Sequence, residues 1–100
     1  MAHVIRSVEG FRKELKVGDV FWHMTSSFGA PYEIVGSCRI TAFWMDKRFG
    51  FSMVHYTRLD AGAEVIEEMS IEDLTNKYHG VFLSAADAYE YFEARKSECV

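Results

Sequence analysis

Apolar and polar positions change period several times along this chain. Phe11 and Leu15 stand four apart behind Ser7, which predicts a short capped helix over 8–15 with Gly10 as its weak point. Leu-Lys-Val-Gly-Asp-Val at 15–20 reads as a turn entering a strand at Val20–Met24. The apolar residues of that strand are continuous, the pattern of a strand covered on both faces. Residues 25–31, Thr-Ser-Ser-Phe-Gly-Ala-Pro, read as a loop by composition. Extended structure resumes at Tyr32–Val35, bends at Gly36 and continues over Ser37–Met45. Asp46-Lys47-Arg48 with Gly50 predicts a hairpin turn, and Phe49–Arg58 the next strand. In that strand Phe51, Met53 and His55 share one face, and Ser52, Val54 and Tyr56 the other. Leu59–Ala63 turns the chain again through Asp60-Ala61-Gly62.

Glu64–Met69 fits a strand or a helix, and the strand is favoured. Ser70, with Asp73 three residues on, predicts a short helix over 71–78 that His79-Gly80 ends. Val81-Phe82-Leu83 is a short extended piece. Ser84 then opens a helix with Asp87 and Glu90 near its start and Arg95 and Lys96 near its end, the order the helix dipole favours. Ala85, Ala88, Tyr89 and Phe92 are its expected inward residues. The expected fold is α+β and one domain over 1–100: a small, bent antiparallel sheet of about five strands, a short N-terminal helix and a C-terminal helix packed on the sheet.

At 49% hydrophobic and 26% charged residues, the composition excludes collagen, coiled coil and low-complexity disorder. The longest uncharged stretch, Val20–Tyr32, is too short and too polar to span a membrane, and the first residues contain no apolar signal segment. Cys38 and Cys99 make no disulfide framework, so a reduced cytoplasmic compartment is expected. The net charge of −4 is unevenly spread. Residues 1–50 carry 7 basic and 5 acidic groups, and residues 51–100 carry 4 and 10. Asp60, Glu64, Glu67, Glu68, Glu72 and Asp73 follow one another with no base between them. Such a run is a solvated face, or a patch that meets a basic partner or mimics a nucleic-acid backbone.

Candidate chemistry is sparse. His23, Cys38 and His55 fall on three different strands, and no histidine or cysteine pair has zinc-site spacing, so no metal or cofactor is expected. Ser26 and Ser27 lie near His23 without a nucleophile elbow. Arg39 follows Cys38, but adjacent strand residues point to opposite faces. The glycines form no phosphate-binding loop. No enzyme is read from these residues. The aromatics are more telling, because Trp22 and Trp44 stand opposite other large apolar residues on their strands. Either helices cover the second face of the sheet or it is an interface.

The order of Val17-Gly18-Asp19, Leu74, Phe82-Leu83-Ser84 and Ala88 resembles small bacterial and phage- or prophage-type accessory proteins with an SH3-like barrel and a C-terminal helix. The chain departs from that pattern at Ala86-Asp87, where two acids are frequent. The resemblance implies a module that binds and inhibits a host or defence protein, which joins the expectations of a cytoplasmic, non-enzymatic chain, monomer or homodimer. The expected contact residues are Trp22, Phe28, Trp44, Arg48 and Tyr56, with the acids Glu64, Glu67, Glu68, Glu72 and Asp73. Two alternatives stand beside this one. A nucleic-acid-binding small barrel would use Arg12, Lys13, Lys16, Arg39, Lys47 and Arg48, against the acidic balance of the chain. A small-molecule-binding protein or enzyme would place its pocket at the barrel mouth.

Overall fold

Three serines open the three helical segments. Ser7 Oγ accepts from the Gly10 N–H at 3.0 Å, Ser70 Oγ from the Asp73 N–H at 3.1 Å, and Ser84 Oγ from the Asp87 N–H at 3.1 Å. A computed structural model of the chain describes residues 3–27, 30–59, 65–77 and 80–98, with backbone alone at 24–27, 30–36, 65, 76–77 and 95–98. Its elements are α1 (Val8–Glu14), β1 (Val20–Ser27), β2 (Ala30–Asp46), β3 (Phe51–Arg58), β4 (Val65–Ser70), a π-helical turn (Asp73–Lys77), β5 (Val81–Phe82) and α2 (Ala85–Glu98). The fold is α+β, as expected, and the described part of the segment expected at Glu64–Met69 is strand.

The strands form one antiparallel sheet in the order β4-β3-β2-β1-β5, and Ile5 adds a single bridge to Val81 on the far side of β5. The sheet has the five antiparallel strands expected, and among the described residues its edges do not pair with each other, so it is open. The reason lies in the crossover from β4 to β5. It runs as helical turns rather than as strand, and buries Ile71 and Leu74 in the same cluster as Phe21, Val54 and Val81. Side chains therefore fill the mouth that strand pairing would otherwise close.

The inner face of the sheet carries Phe21, Cys38, Ile40, Val54 and Tyr56, all buried, and α1 covers it with Phe11 and Leu15. Phe11 meets Phe21 edge-on at 5.5 Å and Phe43 at 6.2 Å. The Val17-Gly18-Asp19 turn ties this layer to β2: the Gly18 N–H donates to Ile40 O, and the Ile40 N–H donates to Asp19 O. On the outer face α2 lies across β5, β1 and β2. Ala88, Tyr91 and Phe92 pack there with Phe82 and Trp22 in a second, smaller cluster. Tyr91, and not Tyr89, is the inward tyrosine. It lies three residues past Ala88, on the face that also carries Phe92, whereas Tyr89 is 59% exposed.

Residues 25–31, expected as a loop, belong mostly to a long β1–β2 hairpin that reaches Ser27 paired with Ala30. Backbone pairing continues through this Thr/Ser-rich stretch because a ladder bonds main chain and not side chains. Three register shifts interrupt β2, the first of them opposite Thr25–Ser27 in the far part of the hairpin. Gly36 and Ser37 stand opposite Trp22 alone, where the sequence predicts a bend, and Thr41 is an extra residue between Ile40, paired with Tyr56, and Ala42, paired with His55. The bulge at Thr41 reverses parity: Cys38 and Ile40 face inward before it, and Phe43 packs on the inner core after it. The predicted Asp46–Gly50 turn is present, with the Arg48 N–H donating to Asp46 Oδ1 at 2.9 Å and the Gly50 N–H to Asp46 O at 2.7 Å. Asp60–Ala63, Phe28, Glu64 and His79 lie outside the described residues.

Candidate functional site

Strand alternation decides which of the expected contact residues reach the surface. On β3, Ser52, Val54 and Tyr56 point inward and Phe51, Met53 and His55 outward. Tyr56, expected among the exposed aromatics, is therefore fully buried, edge-on to Phe21 at 5.4 Å. Its hydroxyl donates to Glu67 Oε2 at 2.8 Å, and Glu67 Oε1 accepts from Arg58 Nη1 at 3.4 Å. Burial pushes the Tyr56 phenol well above its usual range, and the bond to the Glu67 carboxylate and its charge push it further the same way. Trp22 is covered as well, by α2. Phe28 and Glu64 lie outside the described residues.

The described acids do not form one patch. Glu67 points inward from β4 to Tyr56, and Glu68 points outward to His55. Glu72 accepts the Ser52 backbone N–H at 3.1 and 3.2 Å, on the inner side. Asp73 is exposed at the start of the π-helical turn. Two of the four described acids thus satisfy groups of the fold itself, and only Glu68 and Asp73 present charge near the outer face.

Helix α2 covers the β5-β1-β2 half of the outer face and leaves the β2-β3-β4 half open. Trp44, Met53, His55 and Glu68 lie there in register: Trp44 pairs with Met53, Met53 with Ser70, and His55 with Glu68. The Trp44 indole N–H donates to His55 Nε2 at 2.7 Å and to Glu68 Oε2 at 3.2 Å, and its ring stands edge-on to the imidazole. His55 Nε2 also meets Glu68 Oε2 directly. Trp44 is only a donor, so His55 Nε2 accepts from it when that nitrogen carries no proton and donates to Glu68 when it does. In either arrangement the indole is held while remaining 43% exposed. Ile66, at 77% exposure, stands on the same face of β4, and Phe51 and Phe49 extend the apolar surface toward the hairpin tip. The Arg48 guanidinium lies over the Phe49 ring at 5.7 Å. Sequence reasoning missed Phe49, Phe51, His55 and Ile66 as members of this face. The signal was in β3, where Phe51, Met53 and His55 share one side.

At the end of this face a cleft of about 420 Å³ opens between the hairpin tip and the β4-to-helix turn, lined by Phe49, Phe51 and Met53 with the carboxylates of Asp46, Glu68 and Asp73. His23 and Cys38 are buried on the inner face and His55 stands on the outer one, so the three do not converge. Among the described residues no three His, Cys, Asp or Glu side chains are grouped to hold a metal ion. Arg12 lies over Phe43 on the inner side, whereas Arg39 is exposed on the outer side, so these two bases serve opposite faces. No helix among the described residues is long and apolar enough to cross a membrane. No family model, no curated protein and no solved structure matches this chain.

Proposed function

We propose that this chain is a non-enzymatic protein-binding accessory module that engages its partner through the uncovered β2-β3-β4 half of the outer face. The observation that carries the reading is Trp44, held by hydrogen bonds to His55 and Glu68 while exposed beside Phe51 and Ile66. An exposed apolar surface of this kind marks an interface, and tryptophan is among the side chains most enriched at binding hot spots. A ring already fixed loses little freedom on binding. The reading keeps Trp44, Arg48, Glu68 and Asp73 as contact residues and replaces Tyr56, Glu67 and Glu72, whose groups are engaged within the fold, by Phe51 and Ile66. The resemblance drawn from Val17-Gly18-Asp19 and Phe82-Leu83-Ser84 adds an inhibitor of a host or defence protein in the cytoplasm as the form such a module takes.

The test is affinity capture from a nuclease-treated bacterial lysate with wild type, Ile66→Asp and Tyr89→Asp, with folding checked by circular dichroism. Ile66→Asp should lose the captured protein at least about tenfold, the order set by burying one large aliphatic side chain. Tyr89→Asp, an exposed change on α2, should capture normally. Equal capture by all three proteins, or by none, would refute docking on this face.

A further inference from the structure

The cleft at the end of the open face has a chemistry of its own. Its floor is aromatic and aliphatic, from Phe49, Phe51 and Met53, and its rim carries Asp46, Glu68 and Asp73 with no base among the lining residues. Carboxylates around ring faces suit a planar cation, because a guanidinium stacks on an aromatic ring and bonds carboxylates in a fork. The molecule already shows half of this preference: the Arg48 guanidinium lies over Phe49 at 5.7 Å. Beside the cleft, β4 is the last strand of the sheet, and among the described residues no strand pairs with its outer side. An unpaired strand edge is a template for a further strand.

The charge on that edge decides between occupants. A second copy of this chain paired antiparallel through β4 would set Glu67 and Glu68 against the same acids of its mate, and like charges facing across strands repel. A basic strand meets no such penalty. We propose that the cleft takes an arginine side chain on an extended segment of a protein partner, which pairs with the β4 edge while its guanidinium enters among Asp46, Glu68 and Asp73. The proposal rests on the docking reading above and names the chemistry of the partner.

The test uses the intact chain, isotope-labelled for NMR, and the peptide acetyl-Val-Arg-Val-Arg-Val-amide. Comparison peptides carry lysine or the neutral isostere citrulline in place of arginine. Saturable amide shifts are expected at Phe51, Met53, Ser70 and Asp73, with a Kd on the order of 1 mM or tighter. Citrulline should weaken binding about tenfold, and so should the pair Glu68→Gln with Asp73→Asn, whose own spectrum reports that the fold is kept. Citrulline binding as well as arginine, shifts centred elsewhere, or no saturable shift would overturn the proposal. Lysine equal to arginine would overturn the guanidinium assignment. If the peptide fails while capture from lysate still depends on Ile66, the cleft proposal falls alone. If Ile66 has no effect either, the docking reading falls with it.

Discussion

Replacing Tyr56 by phenylalanine removes one oxygen from the inner core and leaves the ring in place. The ring contacts with Phe21 at 5.4 Å and His23 at 6.5 Å persist, so the change isolates the hydrogen bond to Glu67. A bond to a charged acceptor contributes about 1.5–3 kcal/mol. Glu67 is partly exposed and also meets Arg58, so water and Arg58 compensate in part and the lower end, about 1.5 kcal/mol, is expected. With a urea m-value of about 1.5 kcal/mol/M, the unfolding midpoint at pH 7 should fall by about 1 M. The pH dependence supplies a second, independent arm. The folded-state phenol of Tyr56 is raised by burial first and by Glu67 second, so it stays protonated where the unfolded phenol ionises, above about pH 10. A raised value means stability that is complete below the unfolded value and lost as pH climbs past it. One unit above, the wild type has lost about 1.4 kcal/mol that the phenylalanine variant cannot lose, and the other tyrosines cancel between the two proteins. The gap of about 1.5 kcal/mol should therefore close near pH 11 when urea unfolding is followed by circular dichroism. A gap that stays constant from pH 8 to pH 11, or a variant as stable as wild type at pH 7, would refute the reasoning.

Four further substitutions test the frame that positions the face. Gly80 has φ +98° and a Cβ there would stand 2.6 Å from Val4 Cγ1, so Gly80→Ala should cost about 2–4 kcal/mol in denaturant unfolding. Gly50, at φ +74° with open space around it, should cost only about 1 kcal/mol as alanine. Ser84→Ala removes the cap of α2 and should cost about 1 kcal/mol, read as a drop of about 4–5 °C in Tm. Glu72→Ala strips the Ser52 N–H of its acceptor and should cost about 1–2 kcal/mol by urea unfolding, although Glu72 looks like one more surface acid in the sequence.

Local chemistry was legible in the sequence wherever a side chain acts on its own neighbourhood. Ser7, Ser70 and Ser84 all cap as their spacing predicts, Asp46 builds the hairpin turn, and Gly36 marks its bulge. The alternation of β3 was legible too, but not its direction. Either side of the strand could face the core, and Ser52 and Tyr56 go inside, where Glu72 satisfies the Ser52 backbone and Glu67 the Tyr56 hydroxyl. Those acids come from the β4 region, some ten to twenty residues away, and only the tertiary fold brings them there. The two tryptophans make the same point: α2 covers Trp22 and stops short of Trp44, and nothing near either residue in the chain records where a helix so far along the chain will end. The acidic run misled for a related reason. In a strand, neighbours such as Glu67 and Glu68 point to opposite sides, so consecutive charge does not mean shared surface. The barrel stayed open because its mouth is filled by Ile71 and Leu74, residues the sequence places in a helix without saying what they plug.

The extra residue at Thr41 works as a phase shifter. Strand β2 is read in steps of two, and the bulge advances the count by one, so that Phe43 enters the core and Trp44 leaves it. Without the bulge, the same residues in strict alternation would invert the outer half-face, with the indole turned toward α1 and the phenyl ring toward solvent. Deleting Thr41 is a different change: Ala42 then follows Ile40 directly, His55 stays opposite Ala42, and Trp44 stays outside. What this surface offers to a partner is thus written in the pairing of β2 as much as in its residues. Loss of Thr41 should therefore spare the outer face, whereas a residue removed between Ala42 and Trp44 should turn it over.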